Sequence, residues 1–417
     1  MADYSALMLQ GRPKQGQTLD DVKNLLLEEI KKLRAGDFDE KMLQANINNF
    51  KLYQVQQLES NRGRADMFVN SFINGTNWAD EVTAIDRLAK LTKEDIVTFV
   101  NKYLTDQNYA VIYKKQGQNP NEKKMAKPTI TPIVMNRDVA SDFLKEIQNS
   151  NVKPIEPVFL DFKKDLSQLK AKSGIPVLYK QNTSNDLFQL IYVFDMGNNN
   201  DKALGTAFDY IDYLGTSDMT PEQVKSEFYR LACNFRVSPG NERTYVVLSG
   251  LNENMPEAMK LFEKLMADAQ VNKEAYTNMV ADILKSRKDA KLNQMQNFRR
   301  LMNYGMYGPK SPATNILTET ELQTMDPQEL TDRIHNQNSY KHRIMYYGPT
   351  SEKELLAIIN KNHQAPKKLK EIPVGNEFPR LETPVTKVLI SPYEAKQIYM
   401  TQLSNRGEKF DPMIEPS

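Results

Sequence analysis

Residues 325–348 read MDPQELTDRIHNQNSYKHRIMYYG. Asp326 and Pro327 open a helix, because proline fits the first helical turn, where its missing N–H costs nothing. A short amphipathic helix follows, then a polar turn, then the apolar strand Ile344–Tyr347. Residues 91–114, LTKEDIVTFVNKYLTDQNYAVIYK, follow the same grammar of cap, helix, turn and strand. The agreement extends upstream. Arg299–Gly308 (RRLMNYGMYG) answers Arg64–Gly75 (RADMFVNSFING), and Lys273-Glu274-Ala275-Tyr276 enters its helix as Glu40-Lys41-Met42-Leu43 does. Segments repeated in fixed order over about 100 residues mark a modular chain. The second copy is preceded by strands and helices from Val177 to Gly250 that have no counterpart before the first. The chain is therefore expected to begin partway through a module.

Composition narrows the class. A chain of 417 residues has room for roughly two to four domains. It is 40% hydrophobic and 26% charged, ordinary values for a globular chain with real cores. Its 55 basic and 53 acidic residues nearly balance, which gives no electrostatic footprint for nucleic acid. No apolar run approaches the ~18–20 residues that span a bilayer. The opening MADYSALMLQ has neither a basic n-region nor an apolar h-region, so it is no signal peptide. Periplasmic and cytoplasmic locations both stay open. Cys233 is the only cysteine, which excludes an internal disulfide and any cysteine-based zinc site. Phe228, Leu231 and Phe235 around it point to a small buried hydrophobe.

Pattern places the elements. Thr18 and Asp21 form a capping box for a helix carrying Val22, Leu26, Ile30 and Leu33, which Gly36 ends. A second helix runs from Asp39 to about Glu59, with Leu43, Ile47, Phe50 and Val55 on its buried side. A third carries Ala65, Phe68, Val69, Phe72 and Ile73 and stops at Gly75. Two shorter helices, Trp78–Leu88 and Thr92–Leu104, lead to a strand at Tyr109–Lys114. One strand makes no sheet, so the expectation is an open edge that seeks partners, a second copy of the chain among them. Gly117–Pro128 has linker composition. Val177–Lys180 and Phe188–Met196 read as neighbouring strands, the second apolar on both faces. Helices at Ala203–Leu214 and Thr220–Asn234 follow, then a hairpin of Phe235–Ser238 with Arg243–Ser249. Helices at Met255–Ala267, Lys273–Leu292 and Gln294–Tyr304 precede the segment quoted first, and Ser351–Asn362 closes the domain. After Pro366 the chain reads as a connector, with strands at Lys387–Ile390 and Gln397–Leu403. The fold class is α+β: repeated modules of helices packed on one face of a mostly antiparallel sheet.

Residues 205–235, GTAFDYIDYLGTSDMTPEQVKSEFYRLACNF, resemble the signature region of the pitrilysin/insulinase family of zinc metallopeptidases, the inverzincins. Active members carry H-x-x-E-H on a helix, then a Gly-Thr turn, then a helix rich in Ser/Thr and Glu at its start. Two histidines one turn apart hold zinc, and the glutamate between them polarises the attacking water. Alignment on Gly215-Thr216 puts Thr206 and Tyr210 at the histidines and Asp209 at the glutamate. A hydroxyl and a phenol do not replace two imidazoles, and the basic stretch Ser286-Arg287-Lys288-Asp289 offers no equivalent of the family's further glutamate ligand. The module thus resembles the family's degenerate, non-catalytic copy. Asp37–Ala45 (DFDEKMLQA), Leu58–Ala65 (LESNRGRA), Leu91–Leu104 and Gln397–Arg406 (QIYMTQLSNR) resemble the family as well.

In that family four modules form two halves that close over a peptide chamber, and zinc sits in the first. The resemblance implies that residues 1–114 are the end of a second module and 115–174 an inter-half linker. Residues 175–365 would be a complete third module, and 366–417 a connector with the first strands of a fourth. The implied function is a non-catalytic central portion of a zinc-dependent endopeptidase, part of the chamber wall. The alternative is part of a catalytically dead member that binds peptide or serves assembly. Implied partners are peptide or unfolded polypeptide and the remaining modules of the same chain. Zinc belongs to the parent protein, and this portion is expected to hold no cofactor and no catalytic residue.

The histidines support that expectation. His335 and His342, were they on one helix, would have α-carbons ~10 Å apart along its axis, too far to share a metal. His363 reads as part of a polar tail beside Pro366. Asp209 and Asp212 read as a solvated pair on one helix, and Lys285–Lys291 as an exposed face interrupted by acidic residues.

Overall fold

The structure, a computed structural model, describes residues 5–14, 16–117, 125, 127–133, 135 and 139–407. Most of the linker-like stretch Gly117–Pro128 lies outside the described residues. The helices in chain order are α1 (Leu19–Ala35), α2 (Lys41–Glu59), α3 (Asn61–Asn74), α4 (Trp78–Val82), α5 (Ala84–Leu88), α6 (Lys93–Tyr103) and α7 (Asp142–Asn149). Then come α8 (Leu204–Tyr210), α9 (Pro221–Arg230), α10 (Met255–Asp268), α11 (Lys273–Ala290), α12 (Gln294–Tyr307), α13 (Glu319–Thr324), α14 (Gln328–Asn336) and α15 (Glu352–Asn362). The strands are β1 (Ser167–Lys170), β2 (Pro176–Gln181), β3 (Leu187–Phe194), β4 (Cys233–Pro239), β5 (Thr244–Leu251) and β6 (Arg343–Gly348).

The described chain divides into two compact units. One comprises Phe38–Lys93 and everything described from Leu166 onward, and the other Ser5–Asp37 with Glu94–Asp165. In the second unit the Thr18–Asp21 capping box starts α1, and Gly36, at φ 70°, ends it. Asn101 of α6 donates to the Arg34 carbonyl, and the Tyr113 hydroxyl donates to Asp20 at 2.6 Å. Tyr109–Lys114, expected as a strand, forms no ladder, and Ile112 is 93% exposed. No described strand lies within this unit to pair with it, and an unpaired strand has no hydrogen bonds to hold it extended.

The first unit is α+β. Helices pack on a six-stranded open sheet in the order β1-β2-β6-β3-β5-β4, antiparallel throughout except for the parallel pair β2/β6. β2 and β3 were expected side by side, but β6 lies between them. Val177 pairs with Ile344 on one side of β6, and Tyr192 pairs with Ile344 on the other. The reason is chemical. β3 is buried along nearly its whole length, so both its edges need partners inside the protein, and the apolar β6 supplies one while β5 supplies the other. β1 falls within the stretch read as linker and adds an edge strand, antiparallel to β2. The predicted β4–β5 hairpin forms, with Gly240 N donating to the Arg243 carbonyl across its turn.

Phe188, Leu190, Tyr192 and Phe194 of β3 point into one core with Leu204, Phe208, Phe262, Met266 and Ile334 from the covering helices. The opposite side of the sheet end meets α2. Leu52 of that helix packs with Leu187, Ala232 and Leu251. Asn49 donates to the Tyr229 carbonyl at 2.7 Å, and the Tyr229 hydroxyl donates to Asn46. So α2 turns Ala45, Ile47 and Leu52 inward, whereas Phe50, read as buried, is 53% exposed. The α3 residues Phe68, Val69, Phe72 and Ile73 are exposed too.

Lys387–Ile390 and Gln397–Leu403, expected as strands, join no sheet. They run beside α12: Tyr399 lies tilted against Phe298, ring centroids 5.6 Å apart, and Gln294 donates to the Gln397 carbonyl. Among the described residues no helix is long and apolar enough to cross a membrane.

Where α2 meets the sheet, Gly250 of β5 has φ 150°, and a Cβ there would stand 2.3 Å from the Ala232 carbonyl oxygen. Neither backbone can move without breaking the β4–β5 ladder. Gly250→Ala is expected to lower unfolding free energy by roughly 2–3 kcal/mol, through overpacking and backbone strain together. Urea denaturation followed by circular dichroism measures this, and an unchanged midpoint would refute it.

Candidate functional site

The helix that resembles the inverted zinc motif is α8, and its start is built locally. Asn198 Oδ1 accepts from Gly205 N at 2.9 Å and Asp201 Oδ1 from Ala203 N at 3.0 Å, so the turn before the helix supplies partners for its free amides. The helix passes into a short 3-10 turn, Ile211–Tyr213, before Gly215-Thr216. Leu204, Ala207, Phe208, Tyr210 and Ile211 all face the core.

This burial decides what the three aligned positions can do. Tyr210 is fully buried. Its hydroxyl donates to the Asn272 carbonyl at 2.7 Å and accepts from Asn272 N at 2.8 Å. Burial pushes the phenol's pKa up, so it stays protonated. Asn272 caps α11 by accepting from Ala275 N. Tyr210 therefore bolts α8 to the start of α11, with Tyr276 edge-on to its ring. Thr206 is half-buried and Asp209 exposed, one turn apart. Partial desolvation, then the nearby Asp212, raises the Asp209 carboxyl above its usual range. The set does not fit zinc: a phenol with both its bonding directions taken by backbone has nothing to give a metal. In the basic stretch of α11, Arg287 donates to the Leu317 carbonyl at 2.7 Å, a structural tie. Among the described residues no group of three or more His, Cys, Asp or Glu is placed to hold a metal. Two open surface hollows, about 280 and 570 Å³, are lined by neither Thr206, Asp209 nor Tyr210.

The notable polar cluster lies elsewhere. Glu263 of α10 is 1% exposed in the centre of the core. Its Oε1 accepts from the Tyr192 hydroxyl at 2.9 Å and lies 2.6 Å from His363 Nδ1. Its Oε2 accepts from Asn338 Nδ2 and from Gln364 N, each at 3.0 Å. His363 Nε2 lies 2.9 Å from His342 Nε2, and His342 Nδ1 lies 2.7 Å from the Tyr340 carbonyl oxygen. His363, read as part of a polar tail, has a buried imidazole, because Glu263 offers it a charged partner inside. His335 stands apart, bonded to the Ala269 carbonyl, and α14 ends between it and His342. The signal for this cluster was Glu263 itself, one carboxylate on the helix face that carries Met259 and Met266.

The chain matches no known protein-family model and no curated protein. Solved structures similar to it are named as proteases or peptidases, two of them of the M16 type. The periplasmic protease PqqL from Escherichia coli is similar with a TM-score of 0.47 and 15% identity, over 87% of this chain and 43% of that one. A peptidase M16 inactive domain from Pseudomonas fluorescens gives 0.43 and 16% over 51% of this chain and 54% of that one. A protease from Helicobacter pylori gives 0.43 and 13% over 52% and 54%. The chain thus spans about half the length of the solved structures it is similar to.

Two outcomes test this geometry. Tyr210→Phe strips both partners from the Asn272 backbone and is expected to cost about 2 kcal/mol, read by urea denaturation. His342 gives the second. Burial lowers its pKa from 6.5 to about 4, so the unfolded chain binds the extra proton first. The contribution of His342 to stability is then full above about pH 6.5 and is lost as pH drops to about 4, by roughly 3 kcal/mol in all. Denaturation midpoints across that range should show the loss, and His342→Gln should flatten it.

Proposed function

We propose that this chain is a non-catalytic portion of a zinc-dependent endopeptidase of the pitrilysin/insulinase type, forming part of the wall of a closing peptide chamber. The observation that carries the reading is the fate of Tyr210. On the helix that resembles the catalytic one, the residue at the second histidine position is a phenol committed to the Asn272 backbone. That chemistry suits a module that keeps the helix for packing and has given up the metal. Thr206 and Asp209 then carry no part of the reaction. Hydrolysis would reside in a module outside this chain, with zinc as its Lewis acid. The substrate class is peptide or unfolded polypeptide.

A second reading is a catalytically dead relative serving binding or assembly. It is favoured by the same loss of ligands at Thr206 and Tyr210, since nothing in this chain requires an active partner module.

The chain alone is expected to retain no stoichiometric zinc after dialysis and to cleave no fluorogenic peptide above background. In the longer protein, Thr206→Ala and Asp209→Ala should leave kcat/KM within about twofold of the parent value. A large fall in kcat with either variant would overturn the assignment of this module as non-catalytic. A longer protein with neither zinc nor cleavage would favour the second reading.

A further inference from the structure

The Glu263–His363–His342 chain has a proton count that its geometry dictates. The two Nε2 atoms face each other at 2.9 Å, a hydrogen-bond distance, so one of them must bear a hydrogen. His342 Nδ1 bonds a carbonyl oxygen, which only accepts, so it too holds a hydrogen. Three hydrogens must therefore lie along the contacts Tyr340–His342, His342–His363 and His363–Glu263. A carboxylate with two neutral imidazoles supplies only two. One further proton completes the set, whether it rests on His363 or on the carboxylate. With it the cluster is electrically neutral, which suits its burial; without it a net negative charge and two opposed lone pairs remain in the core. The titratable groups facing the rings are Tyr192 from β3 and Glu263 from α10. Phe194 from β3 and the Tyr340 carbonyl, which precedes β6, are uncharged neighbours.

We propose that this shared proton is a latch that fastens the segment leaving α15 at His363 to the core, and that the segment comes loose when the proton is lost. His363 and Gln364 are the first residues beyond α15, and both bond Glu263. Ala365 and Leu369 rest partly buried against the core, and the next backbone hydrogen bonds are at Lys370, with Ser339 and Lys341. Between the two lie Lys367 and Lys368, both exposed. Opening releases one proton, so each unit of rising pH shifts the balance toward the open state by up to about tenfold until the open state predominates. Acid acts against the latch as well, because a second proton must then enter on His342.

The test is limited trypsin digestion of the full chain across a pH series. Cleavage after Lys367 and Lys368 is expressed relative to cleavage after the exposed Lys163 and Lys164 in the same digest. The ratio is expected to rise on the alkaline side by up to about tenfold per pH unit. Glu263→Gln, which removes the charge that retains the proton, should give a raised and pH-independent ratio. Nitrogen-15 spectra of the histidine rings read the proton directly, without a variant: at neutral pH the pair should show the shared hydrogen on Nε2 and hydrogen on His342 Nδ1. A flat ratio in the unmodified chain overturns the proposal. So do two bare Nε2 atoms, or a metal ion found between the rings by elemental analysis.

Discussion

The first unit depends on where one strand goes. β3 is apolar on both faces and buried along most of its length, so neither of its edges can be left to water. β5 satisfies one edge as part of a simple antiparallel run. The other is satisfied by β6, which arrives some 150 residues later in the chain and also takes β2 on its far side in a parallel pairing. The chain between β3 and β6 therefore adds β5 and β4 to one flank of the sheet and returns, and along the way α8, α9, α10, α11, α13 and α14 pack on the core. Those helices cover the apolar face of β3 while bringing Arg343 into register opposite Val193. Asp195, just past β3, is held by Arg243 on one side and Arg343 on the other. These pairs are half-exposed and add little energy, but they mark the register on both flanks.

The polar groups inside this unit follow the same logic of convergence. Glu263 collects hydrogen bonds from β3, from the turn after α14 and from the chain beyond α15, elements far apart in sequence. Tyr210 links α8 to the cap of α11. Each of these buried groups has its hydrogen bonds supplied by parts of the fold that are distant in sequence. A carboxylate in a core is tolerable on those terms and costly on any other.

Much of this was legible in the residues. The Thr18–Asp21 capping box, the hairpin of Phe235–Ser238 with Arg243–Ser249 and the apolar run of β3 each carry a local cause, and each forms as local chemistry dictates. Strand order was not legible, because alternation says that Val177 and Phe188 lie in strands and nothing about which strand stands between them. Tyr109–Lys114 and Gln397–Leu403 have the composition of strands, but a strand exists only with a partner, and composition does not supply one. Leu52 of α2 was missed for a related reason: helical spacing shows that a face is apolar, while its partners Leu187 and Leu251 lie more than 130 residues away. At the candidate site, residue types alone show that Thr206 and Tyr210 offer a hydroxyl and a phenol rather than imidazoles. The pairing of His342 with His363 could not, because it depends on α15 returning the chain to the mouth of the core.

The late arrival of β6 has a consequence for synthesis. A ribosome delivers β2, β3, β4 and β5 well before residues 343–348 exist, so the growing chain must keep a gap open beside β3. Closing β2 directly on β3 would be the nearer pairing in sequence and the wrong one. Contacts that close over such long loops form slowly, and the unfilled edge is sticky while it waits. The nascent chain is thus most exposed to misassembly and most in need of chaperone shelter between the making of β5 and the emergence of β6.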